Sequence, residues 1–170
     1  MVEIRNAHLA RDLEVVRTLW LEYLSWANGE LEARFGFRFP IEKALEDDLA
    51  SIAKFQPPDG RLLLAVDGDG DEAVGIACLR KMSPGTAEIK RMFVRPAQRG
   101  TGLGGALLDR LVVEAKASGY ERIRLDSARF METAHALYRS RGFVDIDAYP
   151  ESEIPDEIKS YWVFMERELD

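Results

Sequence analysis

The sequence contains few residues that could cross-link the chain or bind a metal. Among its 170 residues are one cysteine, Cys78, and two histidines. One cysteine excludes an intrachain disulfide. The lack of disulfides is typical of a protein from a reducing compartment. The histidines and Cys78 lie in unrelated segments, so we expect no zinc site. No apolar run approaches the roughly 18 residues of a membrane helix, and no signal peptide is recognisable. We predict a cytoplasmic protein.

Basic residues are outnumbered by acidic ones. Lys and Arg total 23 and Asp and Glu total 30, giving a formal charge of −7. This balance argues against non-specific binding to nucleic acid or to an anionic membrane surface. The length suits a single domain over residues 1–170. A homodimer is compatible with such a domain, but no residue decides the oligomeric state.

The first half of the chain has helical and then strand-like patterns. Apolar residues at helical spacing predict a helix over residues 10–26, which Asn28-Gly29 ends. Residues 29–39 are predicted to be a loop, and residues 41–55 a second helix. Three strands then follow, joined by tight turns typical of an antiparallel meander. One of these turns, residues 67–71, resembles a calcium loop but lacks the distal Glu, so we interpret it as a hairpin turn.

The second half alternates between helices and strands. We expect helices over residues 101–118 and 132–141. A strand over residues 122–125 separates them, and two closing strands follow over 143–146 and 161–165. This order predicts a mixed sheet with helices on its faces.

A glycine-rich stretch joins the meander to the first of these helices. Glycines at positions 100, 102, 104 and 105 allow a ligand to approach the main chain closely. The following helix start offers free N–H groups and a positive dipole end, which favour a phosphate. No Asp or Glu occurs in residues 89–108, whereas four Lys or Arg do. Without a ligand, these glycines would cost a helix roughly 1 kcal/mol each. The stretch therefore predicts an anion site.

Residues 100–105 also match the GxGxxG pattern of dinucleotide-binding folds, with Asp126 downstream. That fold needs its first glycine almost directly after a parallel strand. Here residues 95–99 intervene, Pro96 cannot continue strand pairing, and the preceding strands are predicted to be antiparallel. The match to a nucleotide P-loop is weaker still, because no Gly-Lys-Ser/Thr follows.

Three segments together identify a family. Residues 88–96 read EIKRMFVRP, residues 99–104 read RGTGLG and residues 134–143 read AHALYRSRGF. In order and spacing they resemble the GCN5-related N-acetyltransferase (GNAT) superfamily, and the resemblance extends over about residues 72–143. It implies an α/β (α+β) fold with a mixed, mostly antiparallel sheet flanked by helices and splayed between strands 4 and 5. It also implies acetyl-CoA as cosubstrate.

The resemblance assigns residues to acetyl-CoA. Backbone groups of Met92 and Val94 would hold the pantetheine arm and the acetyl carbonyl, and amides of residues 99–104 the pyrophosphate. Met131 stands where the family often has an Asn, so it is only an apolar candidate, and Ser127 is a candidate replacement donor. The full predicted set is Met92, Phe93, Val94, Arg99, Gly100, Thr101, Gly102, Leu103, Gly104, Ser127, Met131 and Tyr138.

Two side chains are predicted to be catalytic. The resemblance places the Tyr138 hydroxyl near the thioester sulfur, where a phenol could protonate the leaving thiolate. Its alternative is a core tyrosine. Glu88 is the candidate base, acting through water. Its alternative is a solvated or salt-bridged strand carboxylate. Lys90 shares its strand face by period two and could form the ion pair.

Other residues give weaker signals. His135 lies one helical turn before Tyr138, and we expect it to be an exposed helix residue. Tyr23 and Trp26 are candidates for the border of an acceptor pocket. The acidic segment 147–160 could attract a cationic amine. Its simpler interpretation is a solvated surface loop.

The predicted function is acetyl transfer from acetyl-CoA to an amine of a small molecule or protein. The alternative is a non-catalytic acyl-CoA-binding sensor or regulatory module. The candidates Tyr138 and Glu88 favour the enzyme, since a sensor needs neither.

Overall fold

A seven-stranded sheet forms the centre of the protein in a computed structural model, which describes residues 1–68 and 72–170. The strand order is β1-β2-β3-β4-β5-β7-β6. The strands are β1 (Val2–Asn6), β2 (Arg61–Asp67), β3 (Glu72–Ser83), β4 (Thr86–Val94), β5 (Arg122–Ala128), β6 (Val144–Ile146) and β7 (Trp162–Glu168). The helices are α1 (Leu9–Phe35), α2 (Ile41–Ala50), α3 (Leu103–Ala117) and α4 (Glu132–Ser140), with 3₁₀ turns at Ile52–Phe55, Pro96–Gln98 and Asp156–Tyr161.

The sheet is antiparallel except at its centre. Strands β4 and β5 are parallel and pair only where Thr86, Ala87 and Glu88 face residues 122–124. Beyond that point β4 pairs only with β3 and β5 only with β7, so a gap opens between β4 and β5. The predicted mixed, mostly antiparallel fold with a splay between strands 4 and 5 is confirmed.

The two faces of the sheet carry separate cores. One core packs Leu107, Leu108 and Leu111 of α3 against alternate residues of the strands, such as Leu63 and Ile123. The other packs α1 and α2 against the opposite alternation, and it includes Leu19, Trp20, Leu24, Leu45, Leu62, Leu64 and Ile76. The gap between β4 and β5 therefore opens toward α3 and α4 on one face, and toward α1 and α2 on the other.

Helix α1 is longer than predicted. We expected it to stop at Asn28-Gly29, with a loop over 29–39, but it continues to Phe35. The buried Asn28 side chain bonds both backbone groups of Phe39, at 3.0 and 3.3 Å, and Leu31, one helical turn later, is also buried. These contacts outweigh the weak helix propensity of Gly29. The helix ends at Gly36, whose φ of 74° is left-handed, as at many helix C-termini.

A bulge interrupts β4. Lys90 pairs with Cys78 and Phe93 pairs with Ile76, so Arg91 and Met92 together oppose one residue of β3. Arg91 adopts a left-handed φ of 51°, the one positive φ of a non-glycine residue in the described chain. The extra residue reverses the alternation. Phe93 packs on the α1 face, and Met92 and Val94 pack on the α3 face.

The turn that resembles a calcium loop includes residues 69–71, which lie outside the described residues. Within residues 1–68 and 72–170, no helix combines the length and the apolar character that crossing a membrane requires.

Candidate active site

The open edge of β4 exposes backbone groups to the gap. The Arg95 amide donates to the Val74 carbonyl on β3 at 2.9 Å. Adjacent residues of an antiparallel strand direct their N–H and C=O groups to opposite sides, so those of Val94 and Met92 face the gap. The Nε atom of Arg99 reaches the Val94 carbonyl from that side, at 3.1 Å. The N–H and C=O groups of Met92 and the N–H of Val94 thus remain for a ligand lying along the gap, while the Val94 carbonyl already accepts from Arg99.

Phe93 is placed differently. By the same alternation its backbone groups face β3, where it pairs with Ile76. Its ring lies on the α1 face, 5.8 Å from the Tyr23 ring and 6.3 Å from the Trp26 ring. Of the three β4 residues assigned to acetyl-CoA by sequence, only two direct polar backbone groups into the gap.

The glycine turn lies at the end of the gap. Gly100 and Gly102 have φ values of 79° and 88°, a region that side chains disfavour. Gly102 is the N-cap of α3, no acid occupies the first helical turn, and no described residue accepts a hydrogen bond from the amides of residues 100–105. A groove of about 300 Å³ adjoins this turn, lined by Val2, Gln98, Thr101, Gly102, Leu103 and Ala106. The free donors and the dipole suit a pyrophosphate.

Tyr138 of α4 reaches the gap from the α3 face. Its hydroxyl lies 3.9 Å from the Met92 sulfur, and the side chain is buried. Burial raises the pKa of the phenol, with smaller contributions from Tyr23 and Asp126. The phenol therefore stays protonated at neutral pH and can donate a hydrogen bond at the gap.

The prediction of an exposed His135 is wrong, because the residue is buried with 3% of its surface exposed. Its Nε2 atom lies 3.0 Å from the Ser127 hydroxyl, which is itself 3.4 Å from the Met131 sulfur. The histidine therefore joins α4 to β5. Both Ser127 and Met131, predicted to contact the cofactor, already contact each other and border the α4 side of the gap.

On the α1 face, Glu88 is the centre of an ionic cluster. It has no exposed surface. The Arg80 guanidinium donates to its Oε1 atom at 2.9 Å, and the Tyr149 hydroxyl donates to Oε2 at 2.8 Å. Lys90 lies 3.9 Å away, so the ion pair expected from strand alternation is present but secondary to Arg80. Both oxygens already accept hydrogen bonds, which leaves less capacity for a proton. Glu88 as the base stays a prediction.

The acidic segment 147–160 neutralises cations of this cluster. Glu153 lies 3.2 Å from the Lys90 ammonium, and Glu151 lies 3.8 Å from Arg124. Burial alone lowers the pKa of Lys90, but the carboxylates of Asp126, Glu88 and Glu153 reverse the shift, and the net change is upward. Lys90 is therefore a buried ammonium with its charge retained.

Aromatic rings line the same face. Trp26 packs edge-on against Phe130 at 5.5 Å, and Tyr23 lies 6.4 Å from Trp26. The Arg99 guanidinium lies over Trp26 at 4.8 Å, an arrangement typical of a cation–π contact. The sequence-predicted border residues Tyr23 and Trp26 thus lie together beside the gap.

Comparison with known proteins gives the family. A model described as the Acetyltransferase (GNAT) family matches residues 16–143, more than half of the chain. The chain belongs to this family. The GNAT chain is 30% identical over 158 residues to an uncharacterised N-acetyltransferase from Schizosaccharomyces pombe, covering 92% of this chain and 91% of that protein. It is also 36% identical over 116 residues to an IAA acetyltransferase from Azospirillum brasilense, covering 68% of this chain and 73% of the relative.

Solved structures share the fold of the GNAT chain. A GNAT-family acetyltransferase from Staphylococcus aureus superposes with a TM-score of 0.77, at 19% identity and full coverage of both chains. The PaiA N-acetyltransferase from Thermoplasma acidophilum, solved in complex with coenzyme A, superposes with a TM-score of 0.75 at 20% identity, covering 99% of each chain. At these identities the likeness establishes the fold alone.

Several site residues had little signal in the sequence. Tyr149 lies in what resembled a polar loop, and its aromatic ring among acids was the one unusual feature. Arg80 meets Glu88 across the β3–β4 register, which no short motif records. The bulge at Arg91 could not be recognised in the sequence, because its left-handed residue is an arginine and not a glycine.

Proposed function

We propose that the protein transfers the acetyl group of acetyl-CoA to an amine of a small molecule or protein, by direct attack within a ternary complex. One observation carries the proposal. The open edge of β4, with the backbone of Met92 and Val94 facing the gap, lies between the free amides of the glycine turn and the phenol of Tyr138. These features would serve as a site for a pyrophosphate, a site for a thioester arm and a proton donor.

Backbone groups would bind the acetyl donor. Amides of residues 100–104 would hold the pyrophosphate at the positive end of α3. The N–H and C=O groups of Met92 and the N–H of Val94, which face the gap, would hold the pantetheine arm in the manner of an added strand. An amide of this edge would also stabilise the oxyanion that develops on the acetyl carbonyl.

The chemistry requires a neutral amine and a protonated leaving group. The amine nitrogen forms a bond to the acetyl carbon, the carbon–sulfur bond breaks, and the thiolate takes up a proton as the nitrogen loses one. Tyr138 donates a hydrogen bond to the developing thiolate, because its raised pKa keeps the phenol protonated. Glu88 remains a predicted base that would act through water.

A thiol-release assay tests this function. Acetyl-CoA is mixed with the protein and with a panel of primary alkylamines, arylamines and lysine-containing peptides, and free thiol and acetylated product are both measured. Omission of the amine is the control for hydrolysis. We expect thiol and product in equal amounts for at least one amine. A thermal shift with coenzyme A, which at about 100 times its Kd stabilises a protein by roughly 2.7 kcal/mol, is measured in parallel.

The two measurements separate the alternatives. No stabilisation by coenzyme A or acetyl-CoA would overturn the assignment of the glycine turn. Stabilisation without turnover of any amine would overturn the enzyme and favour the acyl-CoA sensor, for which the family comparisons offer no support. The cytoplasmic location predicted from the sequence stays a prediction.

A further inference from the structure

The ionic cluster on the α1 face is almost completely paired. Each of its cations has a carboxylate within 4 Å. Arg80 pairs with Glu88, Lys90 with Glu153, Arg91 with Asp48, and Arg124 with Glu166.

Asp126 is a carboxylate on the same face that has no paired cation among the described residues. Among the residues that the structure describes, no cation lies within 4 Å of its carboxylate, and its one polar contact is the Ser152 hydroxyl at 3.4 Å. Asp126 is also partly exposed.

We propose that Asp126 binds the ammonium group of the acceptor amine and thereby selects acceptors that are cationic at neutral pH. This proposal rests on the proposed acetyltransferase function, since it concerns the second substrate of the same gap. It assigns to Asp126 a binding and specificity role. The bound ammonium loses one proton to water before its nitrogen attacks the acetyl carbon, and proton donation to the leaving thiolate stays with Tyr138.

The position of Asp126 on β5 supports the assignment. The last paired residue of the parallel ladder is Arg124, opposite Glu88, and Asp126 lies two residues further along the opening. By strand alternation it shares the α1 face with Arg124. Its carboxylate therefore lies on the α1 face of β5, beside the gap at the point where β4 and β5 have separated.

The electrostatic influence of Asp126 reaches the groups around the reaction. Burial accounts for most of the raised pKa values of Tyr138 and Tyr23, and the charge of Asp126 raises both further. It is also the carboxylate with the largest upward effect on the pKa of Lys90. The charge of Asp126 thus acts on Tyr23, which shares its α1 face, and on Tyr138, which reaches the gap from the α3 face.

Glu88 is less suited to the same role. It is fully buried, and Arg80 and Tyr149 occupy its two oxygens. An ammonium would have to displace one of these partners, which would leave a buried charge or hydroxyl unpaired. Asp126 can accept a hydrogen bond from a substrate without breaking any ion pair.

The surrounding rings indicate what the amine carries. Tyr23, Trp26 and Phe130 form a partly exposed aromatic wall on the face to which Asp126 belongs. Aromatic rings favour apolar groups and tolerate a neighbouring cation. The acceptor class that fits is a primary ammonium attached to an apolar or aromatic body.

The test compares charged and uncharged acceptors. Cyclohexylamine, benzylamine and 2-phenylethylamine are cations at neutral pH, whereas aniline is neutral. We expect Asp126→Asn to raise KM for the three alkylamines by about 10- to 100-fold, the value of a hydrogen bond to a charged group, and to leave KM for aniline nearly unchanged. Asp126→Glu, which keeps the charge, should recover part of the loss. Asp147→Asn removes an exposed carboxylate nearby and is the matched control.

Folding and cofactor binding are measured separately. Each variant is checked for its Tm and for the thermal shift with coenzyme A, which should match the wild type because Asp126 faces the acceptor side. If Asp126→Asn fails to fold, the wild-type protein still tests the proposal. Added salt should raise KM for benzylamine and leave KM for aniline constant, because salt screens a charge pair.

The outcomes are distinguishable. Equal KM values for the alkylamines in the wild type and Asp126→Asn would overturn the role of Asp126 while leaving the acetyltransferase standing. A folded wild-type protein that binds coenzyme A but acetylates none of the three alkylamines would overturn the acceptor class. An absence of turnover with every amine of the larger panel would instead overturn the proposed function.

Discussion

The hydroxyl of Tyr149 donates a hydrogen bond to the Oε2 atom of Glu88 across 2.8 Å, and both side chains are buried. The bond ties the segment after β6 to the central strand β4. The Tyr149 ring also packs edge-on against Phe164 at 5.4 Å, and Arg124 lies over it at 5.4 Å.

Tyr149→Phe is expected to destabilise the protein. The variant keeps the ring but leaves one oxygen of a buried carboxylate without its donor, which costs about 1–3 kcal/mol. Urea denaturation measures the change. Tyr161→Phe is the control, because the Tyr161 ring stacks on Phe35 at 4.6 Å and its hydroxyl has no partner among the described residues. Equal midpoints for the two variants would contradict the importance of the bond.

Glu88→Gln separates a structural role from a catalytic one. The amide cannot neutralise Arg80 and Lys90, so we expect a loss of about 3 kcal/mol in the free energy of unfolding. If Glu88 is also the predicted base, the folded variant should lose the acid limb of its pH–kcat profile, whereas Glu157→Gln should keep it. An unchanged acid limb in folded Glu88→Gln would remove Glu88 from the mechanism.

Tyr138→Phe tests the proton donor. We expect kcat to fall by about 100-fold or more, since a positioned general acid contributes at least that much. Coenzyme A affinity should be nearly unchanged, because binding relies on the backbone. The matched control is Tyr120→Phe, whose hydroxyl donates to the Asp59 carbonyl at 2.6 Å, away from the gap. Full turnover by the Tyr138 variant would remove the phenol from the mechanism.

Gly102→Glu tests the anion site at the start of α3. A side chain at a φ of 88° costs about 1–2 kcal/mol, and a carboxylate there also repels a pyrophosphate. We expect coenzyme A to produce no thermal shift. Gly119→Glu is a close control, since Gly119 follows the other end of α3 with a φ of 85° and open space around it. Gly119→Glu introduces the same backbone strain away from the proposed anion site. The expected result is therefore that Gly119→Glu binds coenzyme A and Gly102→Glu does not.

Asp12 gives a pH-dependent stability. Its buried carboxylate accepts hydrogen bonds from Arg5 at 2.7 and 3.0 Å and from the His8 amide at 2.7 Å. The bonds from Arg5 outweigh burial and lower the pKa of Asp12. A lowered folded-state pKa means that the stabilisation is complete above the unfolded value of about 4 and is lost as pH falls below it.

Asp12→Asn should therefore lose about 2 kcal/mol at pH 7 and progressively less below pH 4. Urea denaturation over a pH series measures the difference from the wild type. Asp156→Asn, which removes an exposed partner of Lys159, should show no such trend. A difference that stays constant down to pH 2 would contradict the linkage.

The segment with the family motifs was predictable because its features are local. A strand, a glycine turn and a helix start follow one another within about 20 residues, and each depends on neighbours in sequence. The antiparallel meander followed from turn chemistry for the same reason. The C-terminal end of α1 could not be predicted in this way, because the contact that extends the helix past Asn28 comes from Phe39, eleven positions further along the chain.

Most of the ionic cluster could not be predicted from the sequence, because its contacts join residues that are distant along the chain. Strand alternation placed Glu88 and Lys90 on one face, and the pair exists at 3.9 Å. The stronger partners, Arg80 and Tyr149, depend on the β3–β4 register and on the path of the chain after β6. His135 was expected to be an exposed helix residue, and its burial depends on where α4 lies against β5.

The bulge at Arg91 makes β4 two half-strands that differ in phase by one residue. Glu88 and Lys90 face α1 together with Phe93, while Met92 and Val94 face α3. A regular strand of the same sequence would exchange the last three side chains between the faces and turn the peptide groups of Met92 and Val94 toward β3. The ion pair of Arg91 with Asp48 on α2, at 2.7 Å, holds the left-handed residue in place. Helix α2, which belongs to the opposite core from Tyr138, thereby keeps the two halves of the strand in their relative phase.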